Sequence, residues 1–253
     1  MVRLKTSAEI EKMKKAGRVV ALVLQAIEKS VRPGISTGEL DAIAGNLIRE
    51  QGAVPSFLNY GNPPFPASIC ASVNDEVVHG IPSKGRLLHE GDIVSIDVGA
   101  ILNGFHADAA RTFAVGEISE EAKKLIRVTE ECFWKGLEQA QAGKRIGDVS
   151  SAIQQHAEKN GFGVVRQLVG HGIGEHLHED PDVPNFGRSG HGLRILPGLV
   201  IAVEPMINQG TCDIRLREDQ WTISTADGLN SAHYENTFAI TENGNIITTI
   251  IDD

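Results

Sequence analysis

The sequence predicts an α+β fold written twice, as two helix-helix-sheet halves related by a pseudo-twofold with a site where the halves meet. Three observations carry this expectation. PGISTGELDAIAGNLIREQG (33–52) aligns without a gap on AGKRIGDVSSAIQQHAEKNG (142–161): Gly34, Gly38 and Gly52 fall on Gly143, Gly147 and Gly161 at a constant offset of 109, and Leu40 falls on Val149. GDIVSID (91–97) matches GLVIAVE (198–204), each with a glycine six residues before a carboxylate. HADAARTFAVGE (106–117) resembles HYENTFAITEN (233–243). A period this long excludes a solenoid of short repeats.

Taken in order, Thr6-x-x-Glu9 is a capping box, and a periodic apolar run follows it to about Val31. Pro33-Gly34 breaks that helix; Ser36-x-x-Glu39 caps a second, which stops near Gly52. Within IVSIDVGA (93–100) Asp97 ends the β-branched run, and Asn103-Gly104 then makes a strong two-residue hairpin turn. Ser119 opens a third helix, broken near Gly143, and a fourth runs from about Gly147 to Gly161. The apolar run LVIAV leads to Glu204, and the Asp227-Gly228 turn leads to a strand, SAHYENTFAI, carrying Glu235. No Pro/Ser-rich linker separates the halves (about 1–117 and 118–253), so one domain, 1–253, is expected.

Composition narrows the function. The chain has 253 residues, 41% hydrophobic and 23% charged, which suits a globular protein with a substantial core. No apolar run approaches the roughly 18 residues needed to span a bilayer. The start, MVRLKTSAEIEKMKKAG, is a charged amphipathic helix rather than a signal peptide, so the expected compartment is the cytoplasm. Cys70, Cys132 and Cys212 form neither a disulfide framework nor a CxxC knuckle. A net charge of -9 argues against broad nucleic-acid binding. Lys12, Lys14, Lys15 and Arg18 read as a solvated helix face.

The chemistry begins with the carboxylates. A turn centred on Asn103-Gly104 opposes residues whose numbers sum to 207, which sets Asp108 opposite Gly99. Asp97 lies two positions from Gly99, so both aspartates share one face of the hairpin, with open space expected in front of Asp108. Arg111 is an odd number of residues from Asp108 and should point away. Two buried carboxylates without a counter-charge repel each other, and a metal answers this best. The second half adds Glu204 and Glu235. Four carboxylates balance two divalent ions, and one histidine completes an oxygen-rich dinuclear set suited to Mn(II), Fe(II) or Co(II) and to hydrolysis.

LVGHGIGEHLHEDP (168–181) supplies the histidine. His171 stands between two glycines, where backbone can approach a metal closely. His178 follows past Gly174 and is placed to contact substrate; His176 alternates with it and reads as a surface or packing residue. HEDP is not HExxH, so Glu179 has no claim as a zincin base. His79, in VVHGIP, is a further candidate, in a loop shaped by Gly80 and Pro82.

Along essentially its whole length the chain resembles the type I methionine aminopeptidases, through NDEVVHGIP, SIDVGAILNGFHADAARTF, GHGIGEHLHEDPDVPNF, AVEPM and HYENTFAIT. The resemblance implies the pita-bread fold, an antiparallel sheet covered by two helix pairs. It implies hydrolytic removal of N-terminal methionine from nascent chains with a small second residue, by water bridging two divalent metals (Co, Mn, Fe or Zn). Asp97, Asp108, His171, Glu204 and Glu235 would be the ligands, with Asp108 and Glu235 bridging and Glu204 also transferring the proton. His79 would bind near the scissile amide nitrogen, and His178 would steady the carbonyl or oxyanion. Phe65, Cys70, Leu177 and Trp221 would form the methionine pocket. Position 65 is commonly Tyr in this family and position 177 commonly Phe, and NYGNPPFPAS (59–68) is unusually rich in proline and asparagine. Nascent N-termini are the implied partners, with the ribosome beside them; no membrane or sequence-specific nucleic-acid contact is expected, and monomer is the default. Two other readings compete: a proline-specific peptidase of the same fold, and a binding protein that has lost the chemistry. The first generally carries an extra N-terminal domain, and the second typically loses ligands that are all present here.

Overall fold

The two aligned stretches fold into matching helix pairs, and their repeated glycines do the same work in both halves. In the computed structural model, which describes residues 2–251, α1 spans Ser7–Ser30 and α2 Thr37–Glu50, while α3 spans Glu120–Gln139 and α4 Ile146–Lys159. Residues 1, 252 and 253, included in the expected domain bounds, lie outside the described residues. Gly34 and Gly143 precede α2 and α4 at φ 87° and 93°; Gly52 and Gly161 follow them at 73° and 88°. These are left-handed conformations that glycine adopts without a Cβ penalty. Gly38 and Gly147 repeat for a different reason: a Cβ would come 2.7 Å from the Lys84 nitrogen in one half and 2.4 Å from the Arg188 oxygen in the other.

The predicted caps form. Thr6 and Ser36 each accept from the backbone N–H three residues on, while Glu9 and Glu39 reach back to the cap N–H groups. Ser119 caps α3 by accepting from Ala122 at 3.2 Å. Before α4 only the return contact is made, from Arg145 N–H to Asp148 at 2.9 Å.

Under α1 and α2 lie β1 (Cys70–Val73), β2 (Ile93–Leu102) and β3 (Phe105–Ala114), paired antiparallel. Ile96, Val98, Ala107 and Ala109 face the helices and bury against Val20, Val23 and Leu40. Under α3 and α4 lie β4 (Val169–Gly172), β5 (Val200–Val203), β6 (Met206–Asn208), β7 (Ser231–His233) and β8 (Asn236–Thr241). There Ile201, Val203 and Phe238 pack on Phe133, Val149 and Ile153. Strand β5 sits between β4 and β8, all antiparallel.

The hairpin register is the predicted one, with Gly99 opposite Asp108. Two expectations change. Asp97 lies inside β2 rather than at its end, because Val98–Leu102 carry the strand on to the Asn103-Gly104 turn. Nor is the space at Gly99 open: a Cβ there would meet Phe57 Cε1 at 2.7 Å and Ser56 Cβ at 2.9 Å, so a side chain from the preceding loop fills it.

The halves join along β3. Ala110 and Glu235 exchange backbone hydrogen bonds of 3.3 and 3.0 Å. Thr237 Oγ1 accepts from Asp108 N–H at 3.1 Å and donates to the Asp108 carbonyl at 2.9 Å. Thr112 Oγ1 bridges the backbone of His233 in the same way. Asp108 and Glu235, from different halves, thereby become neighbours on the pseudo-twofold.

Candidate metal centre and active site

Where the halves meet, one ligand atom each from Asp108, His171 and Glu235 lies within 4.8 Å of the others, and all three residues are buried. Glu204, in the break between β5 and β6, places Oε1 3.7 Å from His171 Nε2. Asp97 lies on the same face of the hairpin as Asp108, and its charge helps to raise the Asp108 pKa. Glu235 likewise sits in a break, between β7 and β8, and not within one continuous strand.

The electrostatics are those of a site built for cations. Burial pushes Asp97 up to about 7. Asp108, Glu204 and Glu235 are raised well above the usual carboxylate range, first by burial and then by one another. Arg111 offsets this only in part, at Glu235, and forms no ion pair with the cluster among the described residues: it donates to the Glu235 carbonyl and to Asn236 Oδ1 at 2.7 Å and stacks on Tyr234. Asp97 Oδ1, Asp108 Oδ1 and Glu235 Oε1 are buried without a hydrogen-bond partner. Unpartnered buried carboxylate oxygens cost several kcal/mol each by rough desolvation estimates, unless a cation or proton satisfies them.

His171 is set up as a neutral donor of its Nε2 lone pair. Its Nδ1–H donates to the Gly172 carbonyl at 2.9 Å, which fixes the tautomer. Burial first, and then neighbouring His178, hold its pKa down to about 3. Cys70 shares the site, but burial keeps it a thiol, so the available donors are oxygen and imidazole nitrogen. This set fits divalent ions of the Mn, Fe, Co or Zn kind.

Over the carboxylates opens a cavity of about 310 Å³. Phe65, Cys70, Leu177 and Trp221 all line it, together with His79 and His178. The Phe65 and Trp221 rings meet edge to face at 5.2 Å. His79 follows the short strand Glu76–Val78 at φ 59°, a left-handed conformation uncommon for a residue with a Cβ. Burial holds His79 near 4, so it is neutral at pH 7, and burial lowers His178 as well.

Three residues at this site escaped sequence reasoning. Tyr60 lines the cavity and meets His178 Nδ1 at 2.5 Å; its segment has no periodicity that could have indicated this. Phe57 walls the cavity against Gly99. His233 is buried, its Nε2 3.6 Å from Glu204 and 3.9 Å from Glu235. Parity along a strand could not have placed it with Glu235, because the strand ends at His233 and the next begins at Asn236.

The model of metallopeptidase family M24 matches residues 11–242. The chain belongs to this family. Among its relatives, the methionine aminopeptidase of Clostridium acetobutylicum is 54% identical over 252 residues, covering all of both chains. The crystal structure of the methionine aminopeptidase from Thermotoga maritima superposes with a TM-score of 0.97 at 44% identity, covering 99% of this chain and all of that one. Prolidase from Pyrococcus furiosus shares the fold alone, with a TM-score of 0.77 at 24% identity and 66% of its length covered. The family is one of metallopeptidases, and the buried cluster of Asp108, His171 and Glu235 is compatible with divalent metal.

Proposed function

We propose that this protein hydrolyses the peptide bond after an N-terminal methionine, preferring a small second residue. One observation carries the reading: the carboxylate-histidine cluster forms the floor of a largely apolar cavity whose walls include Phe65, Cys70, Leu177 and Trp221. An unbranched thioether is flexible and polarisable and suits walls of aromatic and sulfur atoms. Relatives named methionine aminopeptidase that align over the full chain support it.

Asp97, Asp108, His171, Glu204 and Glu235 would hold two divalent ions (Co, Mn, Fe or Zn), with Asp108 and Glu235 shared between them. When bound, such ions polarise the scissile carbonyl and bring the pKa of water near neutrality. Glu204 takes the proton that the water gives up and passes it to the leaving amine. His178, neutral, donates a hydrogen bond to the carbonyl oxygen and favours the developing oxyanion. His79, at the Trp221 edge of the cavity, holds the scissile amide nitrogen. The substrates are nascent polypeptide N-termini, met in the cytoplasm at or near the ribosome, and the working unit is a single-domain monomer. Among the described residues no helix is long and apolar enough to cross a membrane.

The test is free methionine released from Met-Ala-Ser by chelator-treated protein titrated with Mn(II), Co(II), Fe(II) or Zn(II). Metal-dependent release, with Met-Lys-Ser and Ala-Pro-Ala left intact, is expected. Cleavage of Ala-Pro-Ala instead assigns the protein to proline-specific hydrolysis, and silence with every metal overturns the enzymatic reading.

A further inference from the structure

His178 Nδ1 has one hydrogen-bond partner among the described residues, the Tyr60 hydroxyl. The two rings lie 5.2 Å apart at 59°. We infer that Tyr60 is a positioning residue: its hydroxyl donates to Nδ1 and thereby keeps the His178 proton on Nε2, aimed at the substrate carbonyl. The inference rests on the proposed aminopeptidase reaction and deepens it.

Direction follows from chemistry. A neutral imidazole has one N–H donor and one acceptor nitrogen, and the partner of one nitrogen sets the role of the other. Burial raises the Tyr60 phenol, whose ordinary value near 10 is already far above neutrality, so it keeps its proton to donate. His171, whose ring centroid lies 4.3 Å from that of His178, uses the same logic in reverse: its Nδ1–H is spent on a carbonyl and its Nε2 is left bare. Adjacent imidazoles are thus held in opposite tautomers, one to offer a lone pair and the other a proton.

Tyr60 is held firmly enough for this. Its amide donates to Phe57 O at 2.9 Å, and its carbonyl accepts from Phe65 N–H at 2.8 Å. Gly61, at φ 77°, lies under Trp221, where a Cβ would come 2.5 Å from the indole. On the other side, Lys5 pairs with Glu179 at 2.5 Å and Glu179 accepts from His176 N–H at 3.1 Å, which fixes the loop carrying His178.

Tyr60→Phe keeps the ring packing and removes the donor. Zinc-loaded protein labelled with 15N-histidine reports the tautomer by NMR, and methionine release from Met-Ala-Ser reports turnover. Wild-type protein is expected to show His178 Nδ1 as the bare nitrogen, and Tyr60→Phe a mixture. In Tyr60→Phe kcat should fall about fivefold, the worth of one net hydrogen bond, with KM and metal content unchanged. The fall should vanish when the same change is made in a His178→Ala background. A protonated Nδ1 in the wild type, or an undiminished fall in that background, overturns the inference. If wild-type protein releases no methionine, or His178→Ala leaves release unchanged, the aminopeptidase reading or the role of His178 in it fails. The NMR result still decides whether Tyr60 sets the tautomer.

Discussion

Stripping the metal should reverse the usual pH dependence of stability above neutrality. Asp108, Glu204 and Glu235 have folded-state pKa values well above those of unfolded carboxylates, and Asp97 lies at about 7. A group that binds its proton more tightly when folded stabilises the fold below its unfolded pKa. That contribution is lost as pH rises through the folded pKa. Buried histidines act with the opposite sign, since His79, His171 and His233, held down to about 3–4, must gain protons on unfolding. At pH 6.5 the unfolded imidazole is half protonated, and their effect is nearly complete only by about pH 7.5. Above that the carboxylates are nearly unopposed. Each proton retained by the folded metal-free protein costs about 1.4 kcal/mol of stability per pH unit. Between about pH 7.5 and 9.0 one such proton is worth about 2 kcal/mol, or roughly 4–8 °C in Tm for a chain of this size. The assay is thermal unfolding followed by circular dichroism, on chelator-treated and metal-loaded protein at matched pH and salt. Metal-free Tm should fall across that window while metal-loaded Tm stays level. A metal-free Tm that is flat or rises would mean that the four carboxylates are not proton-bound, and would remove the electrostatic case for a cation site.

Four substitutions probe the parts separately. Asp108→Ala removes a proposed bridging ligand and should lower metal content and methionine release together, release by about 100-fold or more; normal turnover would refute a dinuclear role. His178→Ala should lower kcat by about 100- to 1000-fold with metal content intact by elemental analysis, and loss of metal would make it a ligand instead. Gly61→Ala puts a Cβ into the Trp221 indole at φ 77°, so KM for Met-Ala-Ser should rise and stability should fall by about 1–3 kcal/mol in thermal melts; wild-type KM would show that Trp221 does not shape the pocket. Lys5→Met breaks a pair whose lysine side chain is 1% exposed, and should lower Tm by roughly 6–12 °C, as expected for an abandoned buried charge. An unshifted Tm would show that Glu179 is satisfied by its backbone partners alone.

The duplication was legible because its causes are local. Capping boxes, glycines at positive φ and a two-residue hairpin turn each dictate short-range geometry, and the hairpin fixed the register that sets Gly99 opposite Asp108. Parity along strands then put Asp97 and Asp108 on one face. Local rules did not reach the junction of the halves. The contacts of Thr237 with Asp108 and of Thr112 with His233 span more than a hundred residues, and neither threonine carries a signal of that pairing. The strand break at Glu235 was also hidden, since SAHYENTFAI reads as one continuous β pattern, whereas at Glu204 the run LVIAV already ends and Pro205 marks the break.

The symmetry itself explains which half of the site could be read. Carboxylates come from equivalent places in the two sheet halves, so the repeat announces them twice. The substrate side has no such echo. Tyr60, Phe65 and His79 come from irregular chain or a short strand's end in the first half, Leu177 and His178 from the loop after β4, and Trp221 from an excursion in the second half. A pseudo-twofold site would treat both ends of a peptide alike, whereas hydrolysis at an N-terminus must tell the leaving amine from the carbonyl. That distinction has to come from residues that break the symmetry. Tyr60 to one side of His178, and Lys5 acting through Glu179 on the other, are the means by which this chain fixes one histidine on one side of an otherwise duplicated centre.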